Sequence, residues 1–217
     1  MLMEQQKFGA KKIFIFDLDG TLINAYPAIV ESMNHTLRQM RYPPSEPEKI
    51  IRAVGFGNDG LLKLFFREED ISQARDVYRQ HHRTHLKGKI YLLPGALDLL
   101  KRLKSSGKIL AVASNRPAET ALLLIQVLEI AHYFDRTLTG EEVSFPKPAP
   151  DILLALLSHF RILPEEALYV GDMTIDAQTG AAAGIETVIV TTGSSTPEEV
   201  KATAPDLIIK SLLEFPI

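Results

Sequence analysis

The 217-residue chain has no cysteine. This excludes disulfides, thiolate metal sites and a cysteine nucleophile, and it fits a reducing compartment. No charge of one sign dominates: 24 Lys and Arg stand against 27 Asp and Glu, a formal net charge of −3. A general electrostatic attraction to nucleic acid is therefore not indicated. No unbroken apolar run approaches the length of a membrane span. The segment Met1 to Ala10 is polar and lacks the apolar centre of a signal peptide. There is no internal repeat and no low-complexity tract. The expectation is a cytoplasmic protein without a nucleic-acid or membrane partner, either a monomer or a homodimer. Hydrophobic residues make up 46% and charged residues 24%, as in ordinary globular chains. The length suits one large domain or a domain with a substantial insertion.

What is present centres on Lys11-Lys12-Ile13-Phe14-Ile15-Phe16-Asp17-Leu18-Asp19-Gly20-Thr21-Leu22. Ile13 to Phe16 reads as a strand buried on both faces. It stops at Asp17, and Asp19 and Gly20 follow. In an open α/β sheet, ligands bind at the carboxyl ends of the strands. Two carboxylates so close repel by roughly 4 kcal/mol at about 4 Å and an effective dielectric near 20. A cation, a proton or hydrogen-bond donors must compensate. Asp-Gly is also ordinary turn chemistry, and Asp17 alone could cap a helix.

From about residue 24 to 90 the apolar spacing is helical, with no convincing strand. Helices are expected at Ala25 to Arg41, Glu48 to Val54, from Leu61 to Phe66, and Ile71 to Leu86, with Gly55 to Gly60 as a loop. From Leu93 onward strands and helices alternate. The expected helices are Ala96 to Ser105, Pro117 to Leu128, Asp151 to Phe160 and Ala177 to Ala183. The expected strands are Ile109 to Ala113, Phe134 to Thr139, Ala167 to Val170, Thr187 to Val190 and Leu207 to Ile209. This order predicts an α/β core with a doubly wound, mostly parallel, Rossmann-like sheet, interrupted by an inserted α-helical subdomain. Residues 1–23 and 92–217 would form the core and 24–91 the insert.

Such a sheet gathers the ends of its strands. Four pieces then converge: Asp17-x-Asp19-Gly20-Thr21, Ser114-Asn115, Lys147 between two prolines, and Gly171-Asp172-Met173-Thr174-Ile175-Asp176. Together they offer carboxylates for a hard divalent cation, a positive side chain, and hydroxyl and amide donors. Mg²⁺ favours oxygen ligands and often shares its shell with phosphate. Phosphoryl transfer is catalysed largely by positioning and charge stabilisation. Each piece also has a plainer reading. Ser114 or Asn115 could cap the next helix, Lys147 alone is an ordinary loop lysine, and Asp172 and Asp176 could be a turn and a cap. Arg116 reads as a solvated helix-start residue, with substrate contact the lesser reading.

FDLDGTL, AVASN, PKPAPD and VGDMTIDAQTGAAAG occur in this order along most of the chain. In that order they resemble the four motifs of the haloacid dehalogenase-like phosphatase superfamily. The insert is similar to the helical cap of the subgroup that includes phosphoglycolate phosphatases and β-phosphoglucomutases. The resemblance implies a Mg²⁺-dependent phosphatase of a small phosphorylated metabolite, with phosphoglycolate as the foremost candidate. Asp17 would be the nucleophile that forms an aspartyl-phosphate. Asp19 would protonate the leaving alkoxide and then deprotonate water. Asp17, the backbone carbonyl of Asp19 and Asp172 would hold the metal, with Asp176 just behind. Ser114 and Lys147 would bind the non-transferred phosphoryl oxygens, and Gly20, Thr21 and Asn115 would complete the substrate site. Arg52, Lys63 or Arg67 of the cap would meet a substrate carboxylate. The alternatives are a phosphosugar mutase, a pyrophosphatase or another phosphomonoesterase of the superfamily. A regulatory protein that had kept only the fold should have lost Asp17, Asp19, Lys147 or Asp172, and all four stand.

Two further patterns are set aside. Gly55-Phe56-Gly57-Asn58-Asp59-Gly60 matches a dinucleotide fingerprint, but no clear strand precedes it and no acidic strand end follows. It reads instead as a mobile cap loop facing the site. His81, His82 and His85 read as a solvated cap helix, since no Glu or Cys completes a zinc site. Leu122, Leu123, Ile125 and Leu128 read as core.

Overall fold

In the computed structural model the first strand is β1 (Ile13–Phe16), buried along its whole length. The structure describes residues 7–217. Met1 to Gln6, most of the segment examined for a signal peptide, lie outside the described residues.

Alternate residues of β1 feed two different cores. Phe14 and Phe16 pack into the larger one, and Ile13 and Ile15 into the other. A strand apolar at every position is what a sheet covered on both faces requires. The other strands of this sheet are β4 (Ile109–Ser114), β5 (Arg136–Thr139), β6 (Ala167–Gly171), β7 (Glu186–Val190) and β8 (Leu207–Ile209). Their order is β5-β4-β1-β6-β7-β8, and every pairing is parallel. One face is covered by α5 (Ala96–Ser105) and α6 (Ala118–Val127), which contribute Leu99, Leu100, Leu103, Leu124 and Ile125. The other face is covered by α7 (Asp151–Phe160) and α8 (Thr174–Ala183), through Ile152, Leu153, Leu156 and Ala183.

Strands β2 (Ile23–Asn24) and β3 (Tyr91–Leu92) form a separate antiparallel ribbon, two residues to a side. Between them lie four α-helices: α1 (Tyr26–Gln39), α2 (Pro47–Arg52), α3 (Gly57–Lys63) and α4 (Ile71–Thr84). Met33, Leu37, Leu62, Ala74 and Tyr78 are buried among them. This is the helical cap. A last helix, α9 (Pro197–Ala202), is held by Thr196, whose hydroxyl accepts the Glu199 N–H at 3.2 Å.

The fold departs from the sequence reading in several places. Gly57 to Gly60 is the first turn of α3 and not loop. α8 starts at Thr174, three residues before the expected Ala177, which puts Asp176 inside its first turn. The ribbon strands and α9 had no counterpart in the reading. Leu122 is exposed and does not belong to the core. Among the described residues no helix is long and apolar enough to cross a membrane.

Candidate active site

The strand order determines what meets at the carboxyl edge. β1 runs between β4 and β6, with Phe16 opposite both Val112 and Val170. Asp17 therefore emerges between Ser114, the last residue of β4, and Asp172, the first after β6. Asp17 is held there by its own N–H, which donates to the Val170 carbonyl at 2.9 Å. The chain then folds sharply: the Leu18 carbonyl accepts from the N–H groups of Thr21, Leu22 and Ile23.

Three carboxylates, Asp17, Asp172 and Asp176, each place one oxygen within 4.8 Å of the others, and all are buried. One cation answers them directly. Lys147 Nζ donates to Asp176 Oδ1 at 2.7 Å and to Tyr169 Oη at 3.0 Å. It also lies 3.0 Å from Asp17 Oδ1, an ion pair without hydrogen-bond alignment. Asp176 is fully engaged, since Tyr169 also donates to its Oδ1 at 2.6 Å and the N–H groups of Asp172 and Met173 donate to its Oδ2. Its place in the first turn of α8 makes it both helix cap and lysine anchor.

Asp172 is different. Its Oδ1 accepts from the Thr21 hydroxyl at 2.7 Å, while its Oδ2 has no hydrogen-bond partner among the described residues. Glycines wall that oxygen. At Gly20, where φ is +85°, a Cβ would lie 2.3 Å from Asp172 Oδ2 and 2.6 Å from Tyr26 Oη, itself unpartnered. A Cβ at Gly193 would lie 1.8 Å from the same Oδ2. Burial raises the Asp172 carboxyl well above the usual range, and Asp176 and Asp17 push it further. Burial likewise lifts Asp17 to about 6, with Lys147 opposing and Asp176 and Asp19 adding. A buried Asp172 oxygen without a donor, and carboxyls that resist ionising beside one another, fit the coordination of a hard divalent cation.

Asp19 is gripped by Arg116. Nε donates to Asp19 Oδ2 at 2.8 Å and Nη2 to Oδ1 at 2.7 Å, a two-pronged pair. The third donor, Nη1, reaches His82 Nε2 on α4 at 2.9 Å. His82 is thus a neutral acceptor, and its Nδ1–H donates to Ser32 Oγ at 3.1 Å. Burial, and then Arg116, push the His82 imidazole down to about 3. This corrects two readings. Arg116 is buried, not solvated, and His81 and His82 are buried too, while His85 is exposed. Ring stacking of His81 on His35 and His85 accounts for the rest of the cluster.

Ser114 is buried and its Oγ accepts the Arg116 N–H at 3.3 Å, so a capping contact coexists with a place at the site. Asn115 joins the two halves of the molecule. Its Nδ2 donates to the Gly55 carbonyl in the cap and to the Lys147 carbonyl, and its Oδ1 accepts the Lys147 N–H, each at 3.0 Å. Asp17, Asp19, Ser114, Asn115, Arg116 and Lys147 line one cavity of about 40 Å³, roofed by Val54, Gly55, Gly57, Asn58 and Tyr78 of the cap. Gly20 and Thr21 do not line it; they shape the surroundings of Asp172. Asp172 and Asp176 are likewise absent from its lining. Of the three cap cations considered for a substrate carboxylate, Arg52 is committed elsewhere. It bonds both Glu199 oxygens and the Ser194 carbonyl. Lys63 and Arg67 are absent from the cavity lining. The residue that the sequence reading undervalued is Arg116; its only local signal was its position directly after Ser114-Asn115.

Comparison with known proteins agrees with this architecture. A family model described as haloacid dehalogenase-like hydrolase matches residues 14–190. The phosphoglycolate phosphatase of Escherichia coli K12 is 28% identical over 230 residues, covering 95% of this chain and 91% of its own. That of Salmonella choleraesuis is 28% identical over 220 residues, covering 90% and 87%. Among solved structures, a predicted phosphoglycolate phosphatase from Haemophilus somnus superposes with a TM-score of 0.87 at 25% identity, covering 94% of this chain and 95% of that one. A haloacid dehalogenase-like hydrolase from Streptococcus pneumoniae gives 0.85 at 26%, covering 94% and 96%. The chain belongs to the haloacid dehalogenase-like hydrolase family, in its phosphoglycolate phosphatase-like subgroup with a helical cap.

Proposed function

We propose that this hydrolase is a Mg²⁺-dependent phosphomonoesterase of a small phosphorylated metabolite, with phosphoglycolate as the substrate. The observation that carries the reading is Asp17, a buried carboxylate at a strand end, paired with Lys147 beside the unpartnered Asp172 oxygen. The substrate's identity rests on the bacterial phosphoglycolate phosphatases to which the chain is similar. Residues 24–91 act as a lid over a core formed by 92–217 and the described part of 1–23, and the lack of cysteine suits a cytoplasmic setting.

Asp17 and Asp172, with the backbone carbonyl of Asp19, would hold Mg²⁺. Bound there, the ion would supply positive charge to the phosphoryl oxygens. An Asp17 oxygen forms a bond to phosphorus as the bond to the leaving oxygen breaks, and the electron pair goes with that oxygen. Asp19 delivers a proton to it. Asp19 then takes a proton from a water whose oxygen attacks phosphorus, which releases phosphate and restores Asp17. Ser114 and Lys147 donate to the non-bridging oxygens of the phosphoryl group. Lys147 also keeps Asp17 available as an anion despite burial. Asn115 fixes the Lys147 main chain, Thr21 orients Asp172, Asp176 anchors Lys147, and Gly20 keeps the space beside Asp172 open.

Val54, Gly55, Gly57, Asn58 and Tyr78 of the cap roof the cavity, so the cap would lift to admit substrate, and closure afterwards would exclude bulk water. Purified protein with Mg²⁺ should release phosphate from phosphoglycolate in preference to other small phosphomonoesters. Asp17→Asn should abolish turnover and leave the circular dichroism spectrum unchanged. No phosphate from any ester of the panel, or near-normal rates from Asp17→Asn, refutes the reading.

A further inference from the structure

We propose that Arg116 selects the substrate by exchanging Asp19 for a carboxylate carried on the leaving half of the phosphomonoester. The proposal rests on the phosphatase reading above and names the residue that reads the rest of the substrate.

The argument begins with the supply of positive charge. Among the described residues, the cavity lining holds two cationic side chains, Lys147 and Arg116. Lys147 is divided among Asp17, Asp176 and Tyr169. Arg116 is only 7% exposed, yet it serves a single carboxylate. Its third donor goes to His82, an uncharged acceptor. His82 in turn is steadied by Ser32 below and by Tyr78, whose ring stacks on it at 5.2 Å. The guanidinium is thus fixed from behind by the cap, and its carboxylate-matching fork faces the cavity.

Geometry then determines what the fork meets. The leaving oxygen has to reach Asp19. In phosphoglycolate one methylene joins that oxygen to a carboxylate. A carboxylate so placed arrives next to the guanidinium already resting on Asp19. Arg116 passes to it, one fork for another, and both Asp19 oxygens become free to face the leaving oxygen. An ester with an uncharged alkyl group offers Arg116 nothing, and Asp19 stays across the fork. The second anion therefore acts twice, in binding and in turnover.

The competing cation is Arg79, since Arg75 beside it is held by both oxygens of Asp59. It lines a neighbouring pocket of about 410 Å³ that shares Gly57, Asn58 and Asn115 with the cavity but includes neither Asp17 nor Asp19. It is paired with Glu141 at 3.0 Å and partly exposed. A carboxylate one carbon from the leaving oxygen falls on the Asp19 side of that boundary.

The test uses the full chain with Mg²⁺ and three substrates: phosphoglycolate, ethyl phosphate, which has a methyl group in place of the carboxylate, and acetyl phosphate, whose acetate departs without needing a proton. Hydrogen bonds to charged groups correspond to about 10- to 100-fold. Wild type should favour phosphoglycolate over ethyl phosphate in kcat/KM by that factor. Arg116→Gln should bring the ratio to within about threefold, raising KM and lowering kcat for phosphoglycolate together, and Arg116→Lys should recover part of it. Arg79→Gln should leave the ratio in place. A purely structural role for Arg116 would slow all three substrates alike and leave the ratio where it was. A wild-type ratio near one, a ratio untouched by Arg116→Gln, or a collapse caused by Arg79→Gln each overturns the proposal. If Arg116→Gln does not fold, the wild-type ratio and Arg116→Lys decide. Acetyl phosphate separates the two levels of the argument. Cleavage of it with a ratio near one removes Arg116 alone, whereas no cleavage of any of the three removes the phosphatase reading and this proposal with it.

Discussion

Replacing Lys147 by methionine keeps the reach of the side chain and deletes its charge. In the folded protein that charge lies 3.0 Å from Asp17 Oδ1 and 2.7 Å from Asp176 Oδ1, with Lys147 only 4% exposed. Removing one member of a buried ion pair leaves an uncompensated charge and costs about 3–5 kcal/mol. For a chain of this size each kcal/mol moves the melting temperature by about 2–4 °C, so a fall of about 6–20 °C is expected. The loss should depend on pH in a definite direction. Burial already lifts Asp17 to about 6, and Lys147 is the chief influence holding it down. Without Lys147 the carboxyl rises further. A carboxyl raised on folding holds a proton that the unfolded chain gives up, so its contribution is present at low pH and fades as pH climbs through the folded value. Lys147→Met should therefore fall furthest below wild type near pH 8 and regain ground near pH 5. Urea unfolding at both pH values, without divalent ions, measures this. A variant within about 1 kcal/mol of wild type at pH 8 would show that desolvation cancels the lysine's attraction. A deficit equal at both pH values would remove the link to Asp17.

The same carboxyls give Mg²⁺ a pH-dependent effect on stability. Protons compete for Asp17 and Asp172, both raised by burial, so the ion should raise the melting temperature more at pH 7.5 than at pH 5; equal shifts would count against the assigned ligands. Gly193→Ala has no positive φ to relieve, and it drives a Cβ to 1.8 Å from Asp172 Oδ2. It should lose about 1–3 kcal/mol in place of the usual gain of about 0.4–1 from a stiffer unfolded chain, and its half-saturation by Mg²⁺ should weaken at least about tenfold. An alanine variant that titrates like wild type refutes the cradle. Finally, Arg52–Glu199, Arg79–Glu141 and Arg83–Glu119 bridge cap and core as exposed, salt-sensitive pairs. Raising the ionic strength from about 0.01 to about 1 M shortens the screening length from about 30 to 3 Å. Limited proteolysis of the cap should then quicken, and an unchanged rate would deny these pairs a part in closure.

Much of this architecture could be read from the chain because it is written locally. β1, α7 and β8 have the bounds expected for them, since an unbroken apolar run or a helical stripe between prolines leaves little choice. The meeting of Asp17, Ser114 and Asp172 followed from topology, because adjacent parallel strands bring their ends to one edge. What escaped was short or tertiary. The two-residue ribbon strands are too brief to show a period. α8 hid its first turn because a single apolar residue, Ile175, stands there between polar Thr174 and Asp176, although Asp176 is the residue that caps it. α9 did carry a signal: Thr196 with Glu199 three positions later is a capping box. Arg116 had no such signal. Its burial comes from residues 19 and 82, one far upstream and one in the insert, and no neighbour in sequence announces either.

The ribbon of β2 and β3 has a mechanical consequence. It joins the helices to the sheet through two residues on each side, so any turn of the helices about the sheet would act through a short pivot and a long arm. Helix α1 has 14 residues, and at 1.5 Å per residue it spans about 21 Å, so a turn of about 10° at the pivot sweeps its far end through roughly 4 Å. A modest change of torsion at Asn24 and Tyr91 thus moves the distant wall by more than the width of a water molecule, and the sheet underneath keeps its register.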